Sequence, residues 1–164
     1  MSSFVSVNPA TGKVLKTYRY APLSQLHTVV KQSQQAFLQW KNASLMDRTA
    51  LVAKAGKQLR NHKEFYARMI TLEMGKLYTE AVAEVEKCAV ACDYFCEHAA
   101  DFLKEEYIQT ENNKSYICFD PLGTILAIMP WNFPFWQVFR FCVPALLAGN
   151  VVILKHSRAV PGCA

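Results

Sequence analysis

The stretch "PLGTILAIMPWNFPFWQVFRFCVPALLAGNVVILK", Pro121 to Lys155, decides the reading of this chain. "TILAIM" and "VVILK" are short apolar runs with no polar face. Strands of that kind belong to a sheet covered on both sides, as in parallel α/β architecture. Between them, Pro134 stands where a helix favours proline, at its first position. The spacing predicts a helix from there to about Ala148, stopped by "AGN". The segment therefore reads as strand, helix, strand. Asn132 falls just after the first strand and before the helix, at the carboxyl end where open α/β sheets bind ligands. It reads either as a ligand-facing amide or as the cap of that helix, since Asn is a favoured N-cap.

Upstream, helices dominate. "FVSV" (Phe4 to Val7) and "VLKTY" (Val14 to Tyr18) flank the turn-forming "NPATG", which predicts two short strands joined by a turn. A helix follows from about Ser24, with Leu26, Val29, Val30, Ala36, Phe37 and Trp40 as its apolar stripe. Another starts near Ser44 or Leu45 and runs through Leu72 to a stop at Gly75, with Lys76 at its negative end. The longest periodic segment is Tyr78 to Leu103. Val82, Val85, Ala89, Cys92, Cys96 and Ala99 recur at three- and four-residue steps, and Glu80, Glu84, Glu86 and Lys87 suit an exposed face. "YICF", Tyr116 to Phe119, reads as a further strand. One β-α-β unit is short of sheet partners, so an incomplete domain is expected.

Composition narrows the function classes. The chain has 164 residues, 52% hydrophobic and 19% charged, with a formal charge of +5. That is globular rather than disordered. The basic residues Lys54, Lys57, Arg60, Lys63 and Arg68 alternate with apolar ones, which is a solvated helix face rather than a nucleic-acid footprint. The apolar region from Phe133 to Leu154 is interrupted by Gln137, Arg140, Asn150 and two prolines, so neither a membrane span nor a membrane partner is expected. "MSSFVSVNPATG" lacks the basic start and apolar core of a signal peptide, and a cytoplasmic location is expected. Cys88, Cys92 and Cys96 share a helical spacing and read as small buried hydrophobes. No metal site is expected, because CxxxCxxxC is not a familiar ligand spacing.

At "NPATGKVL", "EMGK" and the Pro121–Lys155 stretch the sequence resembles the NAD(P)-dependent aldehyde dehydrogenases, most of all the succinate-semialdehyde dehydrogenase branch. The resemblance spans the whole chain but only the N-terminal third or so of a family member. Leu77, where the family often has Pro, and "KHS", where many members have "KPS", depart from the pattern. The implied fold is α/β: a helical layer plus an incomplete parallel Rossmann-like sheet. The implied organisation is residues 1–108 as the helical part of the cofactor-binding domain, 109–120 as an oligomerisation-arm strand, and 121–164 as the start of the Rossmann-like unit.

The implied chemistry is oxidation of an aldehyde, succinate semialdehyde above all. A Cys thiolate attacks the carbonyl, a hydride leaves for the nicotinamide, and a Glu activates water against the thioester. By resemblance Asn132 donates its amide to the oxyanion, a role suited to a donor that does not titrate. Met129, Pro130, Trp131 and Asn132 run beside the cofactor, and Trp131 also packs in the core. Lys155 reaches the adenosine ribose; read from its residues alone it is a surface Lys at a strand end.

Arg140, eight residues after Asn132, stands where the branch binds the substrate carboxylate, and its fork suits a bidentate contact. An internal or intersubunit ion pair is the alternative. Arg158, three residues after Lys155, stands near the adenosine 2′ position. With Lys155 and the Ser157 hydroxyl beside it, NADP is expected over NAD. His156 reads as a loop histidine. The full-length form is expected to be a homo-oligomer.

None of the six cysteines stands in the family's nucleophile context, and no segment like the one carrying the general base is present. The isolated chain is therefore expected to be inactive. A non-catalytic assembly or binding module, or the functionless product of a truncated gene, are the competing readings.

Overall fold

The computed structural model describes residues 2–164. At the N-terminus β1 (Ser3–Val7) pairs antiparallel with β2 (Val14–Arg19) around the "NPATG" turn, where Asn8 Oδ1 accepts the Ala10 amide at 2.9 Å. Four helices follow: α1 (Leu23–Trp40), α2 (Leu45–Asn61), α3 (Lys63–Met74) and α4 (Tyr78–Phe102). A small antiparallel ladder of β3 (Glu106–Tyr107) and β4 (Tyr116–Ile117) comes next. The chain then forms β5 (Thr124–Ile128), α5 (Trp136–Leu147) and β6 (Val151–Lys155), with β5 and β6 parallel. This is the strand-helix-strand unit expected from the sequence.

Helix α4 is the centre of the core. Its Ala81, Val85, Cys88, Ala89 and Cys92 are fully buried, and α2, α3 and α5 all pack against it. Small residues on that face let the neighbouring helices approach closely. At the crossing with α2, a Cβ placed on Gly56 would lie 3.0 Å from the Cys92 Cβ. Glycine in mid-helix costs about 1 kcal/mol relative to alanine, so its presence here reflects the contact. Gly75 ends α3 in the left-handed region at φ 82°, and a Cβ there would sit 2.9 Å from the Pro9 ring. That approach brings "EMGK" against the "NPATG" turn. Glu73, also buried, ties the same corner: its carboxylate accepts from Ser6 Oγ at 2.5 Å and from the Gly162 and Cys163 amides at 2.7 and 3.0 Å.

The structure corrects four local expectations. The helix expected to run unbroken to Leu72 divides at His62, whose backbone (φ −115°, ψ 19°) leaves the helical region. Both halves pack on α4, which one straight helix could not sustain over such a length. Glu84, expected on an exposed face, is buried. Strand β5, expected to be covered on both sides, exposes Leu126 by 60% and Ile128 by 67% while Ala127 is buried. Nothing among the described residues covers that side. In α1, Leu26 and Val30 are likewise exposed, and no residue of that helix is fully buried.

Two shorter differences concern ends. Regular helix α5 begins at Trp136, with Pro134 and Phe135 forming the turn that leads into it, although the Gln137 amide already bonds to the Phe133 carbonyl at 3.0 Å. The strand expected over Tyr116–Phe119 is limited to Tyr116–Ile117. No helix is long and apolar enough to cross a membrane among the described residues.

Candidate active site

Strands β5 and β6 end side by side, with Ile128 opposite Lys155. The register brings two distant pieces of sequence together. The Met129 amide donates to the Lys155 carbonyl at 3.1 Å, extending the ladder one residue past β5. Pro130, Trp131 and Asn132 then turn outward, and all three are exposed, so Trp131 does not pack in the core as expected. The Asn132 amide makes no side-chain hydrogen bond among the described residues and does not cap α5, whose first turn has no local side-chain cap. The capping alternative for Asn132 is therefore not what the structure contains. Its two N–H donors are uncommitted.

His156 links the two segments a second time. Its Nδ1 accepts the Ser157 amide at 2.8 Å, so the ring proton resides on Nε2, which donates to the Pro134 carbonyl at 2.8 Å. The sequence reading of a plain loop histidine missed this bridge. A proline at that position has no ring nitrogen able to make it.

Ser157 accepts the Ala159 amide at 3.2 Å on its hydroxyl, which leaves the hydroxyl proton free to donate. Lys155 and Arg158 are exposed, and Arg158 reaches back to the Tyr20 hydroxyl at 3.4 Å. Tyr20 carried no signal in the sequence, since its place follows only from β2 lying near the loop after β6. Arg140 is exposed on α5 and makes no ion pair among the described residues, so an ion pair within the chain is not how its charge is compensated. Of its aromatic neighbours Phe135 is buried, stacked parallel to Phe139 and tilted against Tyr66.

Beneath Asn132 lies a charged pair. Lys76 and Glu84 form a salt bridge with side chains only 6% and 2% exposed. Glu84 Oε1 accepts the Phe135 and Trp136 amides at 2.9 and 3.0 Å, and Lys76 Nζ sits 3.8 Å above the Phe133 ring. Sequence reasoning missed Glu84, although a signal existed. It stands three residues after Ala81 and four before Cys88, on the face that α4 buries.

Five of the six thiols are held away from nucleophilic form. Burial pushes Cys92 and Cys142 up to about 11, and Cys96 upward as well. Cys88 and Cys163 are raised further, first by burial and then by Glu84 and Glu73 respectively. No group of three or more metal-ligating side chains occurs among the described residues.

The family model for the Aldehyde dehydrogenase family matches residues 2–164. The chain belongs to the aldehyde dehydrogenase family. Among curated relatives, it is 41% identical over 162 residues to the probable succinate-semialdehyde dehydrogenase [NADP(+)] of Synechocystis sp., covering 99% of this chain and 36% of the relative. It is 44% identical over 160 residues to the succinate semialdehyde dehydrogenase [NAD(P)+] Sad of Escherichia coli, covering 98% and 35% respectively. The chain thus spans about a third of the length of the curated relatives it matches. Among solved structures, that of succinic semialdehyde dehydrogenase from Streptococcus pyogenes in complex with NADP+ superposes with a TM-score of 0.94 at 33% identity, over 98% of this chain and 36% of that one. The fold is accordingly the α/β N-terminal part of an aldehyde dehydrogenase, helical layer and small parallel sheet included.

Proposed function

We propose that this chain is the cofactor- and substrate-orienting segment of an NADP-linked succinate-semialdehyde dehydrogenase. The observation that carries the reading is the junction at the sheet end. Asn132, with its amide donors uncommitted, and the Lys155–Arg158 segment are held together there by the Met129–Lys155 and His156–Pro134 hydrogen bonds. The donor set fits a phosphorylated dinucleotide: an ammonium at Lys155, a free hydroxyl proton at Ser157 and a guanidinium at Arg158, all at the carboxyl end of parallel strands. Met129, Pro130 and Trp131 would flank its nicotinamide side. When bound, the nicotinamide supplies the acceptor for the hydride leaving the aldehyde carbon.

The chain's own residues orient and stabilise. The Asn132 amide donates to the oxygen on which negative charge develops, and a preorganised donor of this kind is worth about 3–4 kcal/mol in the transition state. Arg140 pairs with the carboxylate at the far end of the substrate and so selects a semialdehyde of a dicarboxylic acid. The nucleophile and the general base are not supplied by this chain: none of its six cysteines stands in the family's nucleophile context, and burial holds Cys92 and Cys142 protonated. The pure 164-residue chain therefore forms no NADPH from succinate semialdehyde.

The exposed apolar residues Tyr107, Ile108, Tyr116, Ile117 and Phe119 on and beside the β3–β4 ladder support its role as an oligomerisation arm, roughly residues 109–120, between a helical part (1–108) and the Rossmann-like unit (121–164). A non-catalytic assembly module is the second reading, favoured by that same surface.

The test is a chimera in which this chain replaces the matching segment of the Escherichia coli relative. Turnover of succinate semialdehyde that falls about a hundredfold or more in kcat with Asn132→Ala supports the proposal. A chimera that assembles and binds NADP but is equally active with and without Asn132 overturns it.

A further inference from the structure

Asn132 is exposed and nothing grips its side chain, so its direction depends on the backbone beneath it. That backbone is held from below by a buried ion pair. Helix α5 has no side-chain cap of its own. Its first free amides, Phe135 and Trp136, point instead at Glu84 of α4, some fifty residues away in sequence, and both bonds converge on one carboxylate oxygen. The other oxygen takes Lys76, which follows the left-handed Gly75 at the end of α3. Lys76 then covers the ring of Phe133, the residue next to Asn132. Of the four residues that follow Asn132, three, Phe133, Phe135 and Trp136, are thus fastened to a single Lys–Glu unit.

We propose that Lys76 and Glu84 are positioning residues for the Asn132 amide. Resting on the reading of Asn132 as oxyanion donor, this assigns the buried pair a role in catalytic geometry beyond holding α3 and α4 together. The physical reason is specific. A buried carboxylate at a helix N-terminus is stabilised by the amides it accepts and by the helix dipole. In return it fixes where the helix, and the turn entering it, begin. A donor acting on developing charge must be in place before the reaction, because reorientation during the step forfeits its advantage. Removing the charge on Glu84 leaves the ammonium of Lys76 buried without its partner and weakens the grip on both amides.

Two measurements on Glu84→Gln decide the matter. In the 164-residue chain, amide hydrogen exchange at Phe135 and Trp136 should accelerate about tenfold or more, while amides in α2 such as Leu59 keep their protection. In the chimera with the Escherichia coli relative, kcat should fall about tenfold or more with KM for succinate semialdehyde within about twofold, the signature of an interaction made in the transition state. Unchanged exchange at Phe135 and Trp136, or a KM effect with kcat intact, overturns the proposal.

If Glu84→Gln fails to fold, the double variant Lys76→Met/Glu84→Gln removes both charges at similar volume and should fold again. A kcat that stays low in it supports the proposal; wild-type kcat overturns it. Asn132→Ala in the same chimera separates the two levels. If it leaves kcat unchanged, the oxyanion reading fails, whereas the exchange data alone still report whether Glu84 holds the turn.

Discussion

His156 and Pro134, twenty-two residues apart, are joined by a 2.8 Å hydrogen bond from the imidazole Nε2–H to the prolyl carbonyl. Its orientation is set by the Ser157 amide, which occupies Nδ1. The bridge fastens the loop after β6 to the turn before α5, so the two edges of the candidate dinucleotide slot move as one. His156→Ala should destabilise the chain by about 1–3 kcal/mol through the loss of two hydrogen bonds. His156→Gln, whose amide can still donate to Pro134, should recover part of that loss. Urea denaturation followed by circular dichroism measures both; equal losses in the two variants would mean that ring packing, not the bridge, matters.

Arg140 is exposed and without an ion-pair partner among the described residues, which leaves its charge open to an external carboxylate. In the chimera, Arg140→Leu should raise KM for succinate semialdehyde by the equivalent of about 2–5 kcal/mol, with a neutral aliphatic aldehyde little affected. Steady-state kinetics on the two aldehydes is the check. Equal effects on both would mark a structural arginine.

Arg158 lies three residues past Lys155, and its only side-chain hydrogen bond among the described residues is a long, exposed one to Tyr20. It is free to turn toward a 2′-phosphate. Arg158→Glu should convert a preference for NADP into one for NAD, read as kcat/KM for the two cofactors. A preference for NAD in the unaltered chimera, unmoved by the substitution, counts against this assignment.

Gly56 permits the closest approach of α2 to α4. Gly56→Val adds a branched side chain where a single Cβ already meets Cys92 at 3.0 Å. Overpacking of this kind costs about 1–3 kcal/mol. A thermal or urea midpoint at or above the wild-type value would show that the two helices separate without penalty.

The buried thiols make stability fall in alkali. Cys92 and Cys142 are raised from an ordinary 9.0 to about 11, so the folded chain keeps these protons where the unfolded chain loses them. Their contribution is fully present below pH 9.0 and is lost as pH rises through about 11. Urea unfolding between those limits should show a declining free energy. Cys92→Ala/Cys142→Ala should flatten the decline, and an unchanged slope would show that other groups cause it.

Local rules were enough to place most elements. Short apolar runs and turn chemistry determine β1, β2, β5 and β6; three- and four-residue apolar spacing determines α1, α4 and α5. "PWNFP" followed by "AGN" and a strand ending in Lys155 determines the family, the α/β fold and the candidates Asn132, Arg140, Lys155, Ser157 and Arg158. These signals are legible because each depends on residues close in sequence.

Only the tertiary structure decided the rest. Whether α2 and α3 are one helix depends on how much of α4 a straight rod can touch. Whether Glu84 faces water depends on which amides lie across from it, and Phe135 and Trp136 are fifty residues away. His156 became a bridge, and Asn132 an uncommitted donor rather than a cap, through contacts set by the β5–β6 register and by Glu84 taking the cap position. A buried charge or an open amide is specified by partners from other elements. Periodicity along one segment carries no information about them.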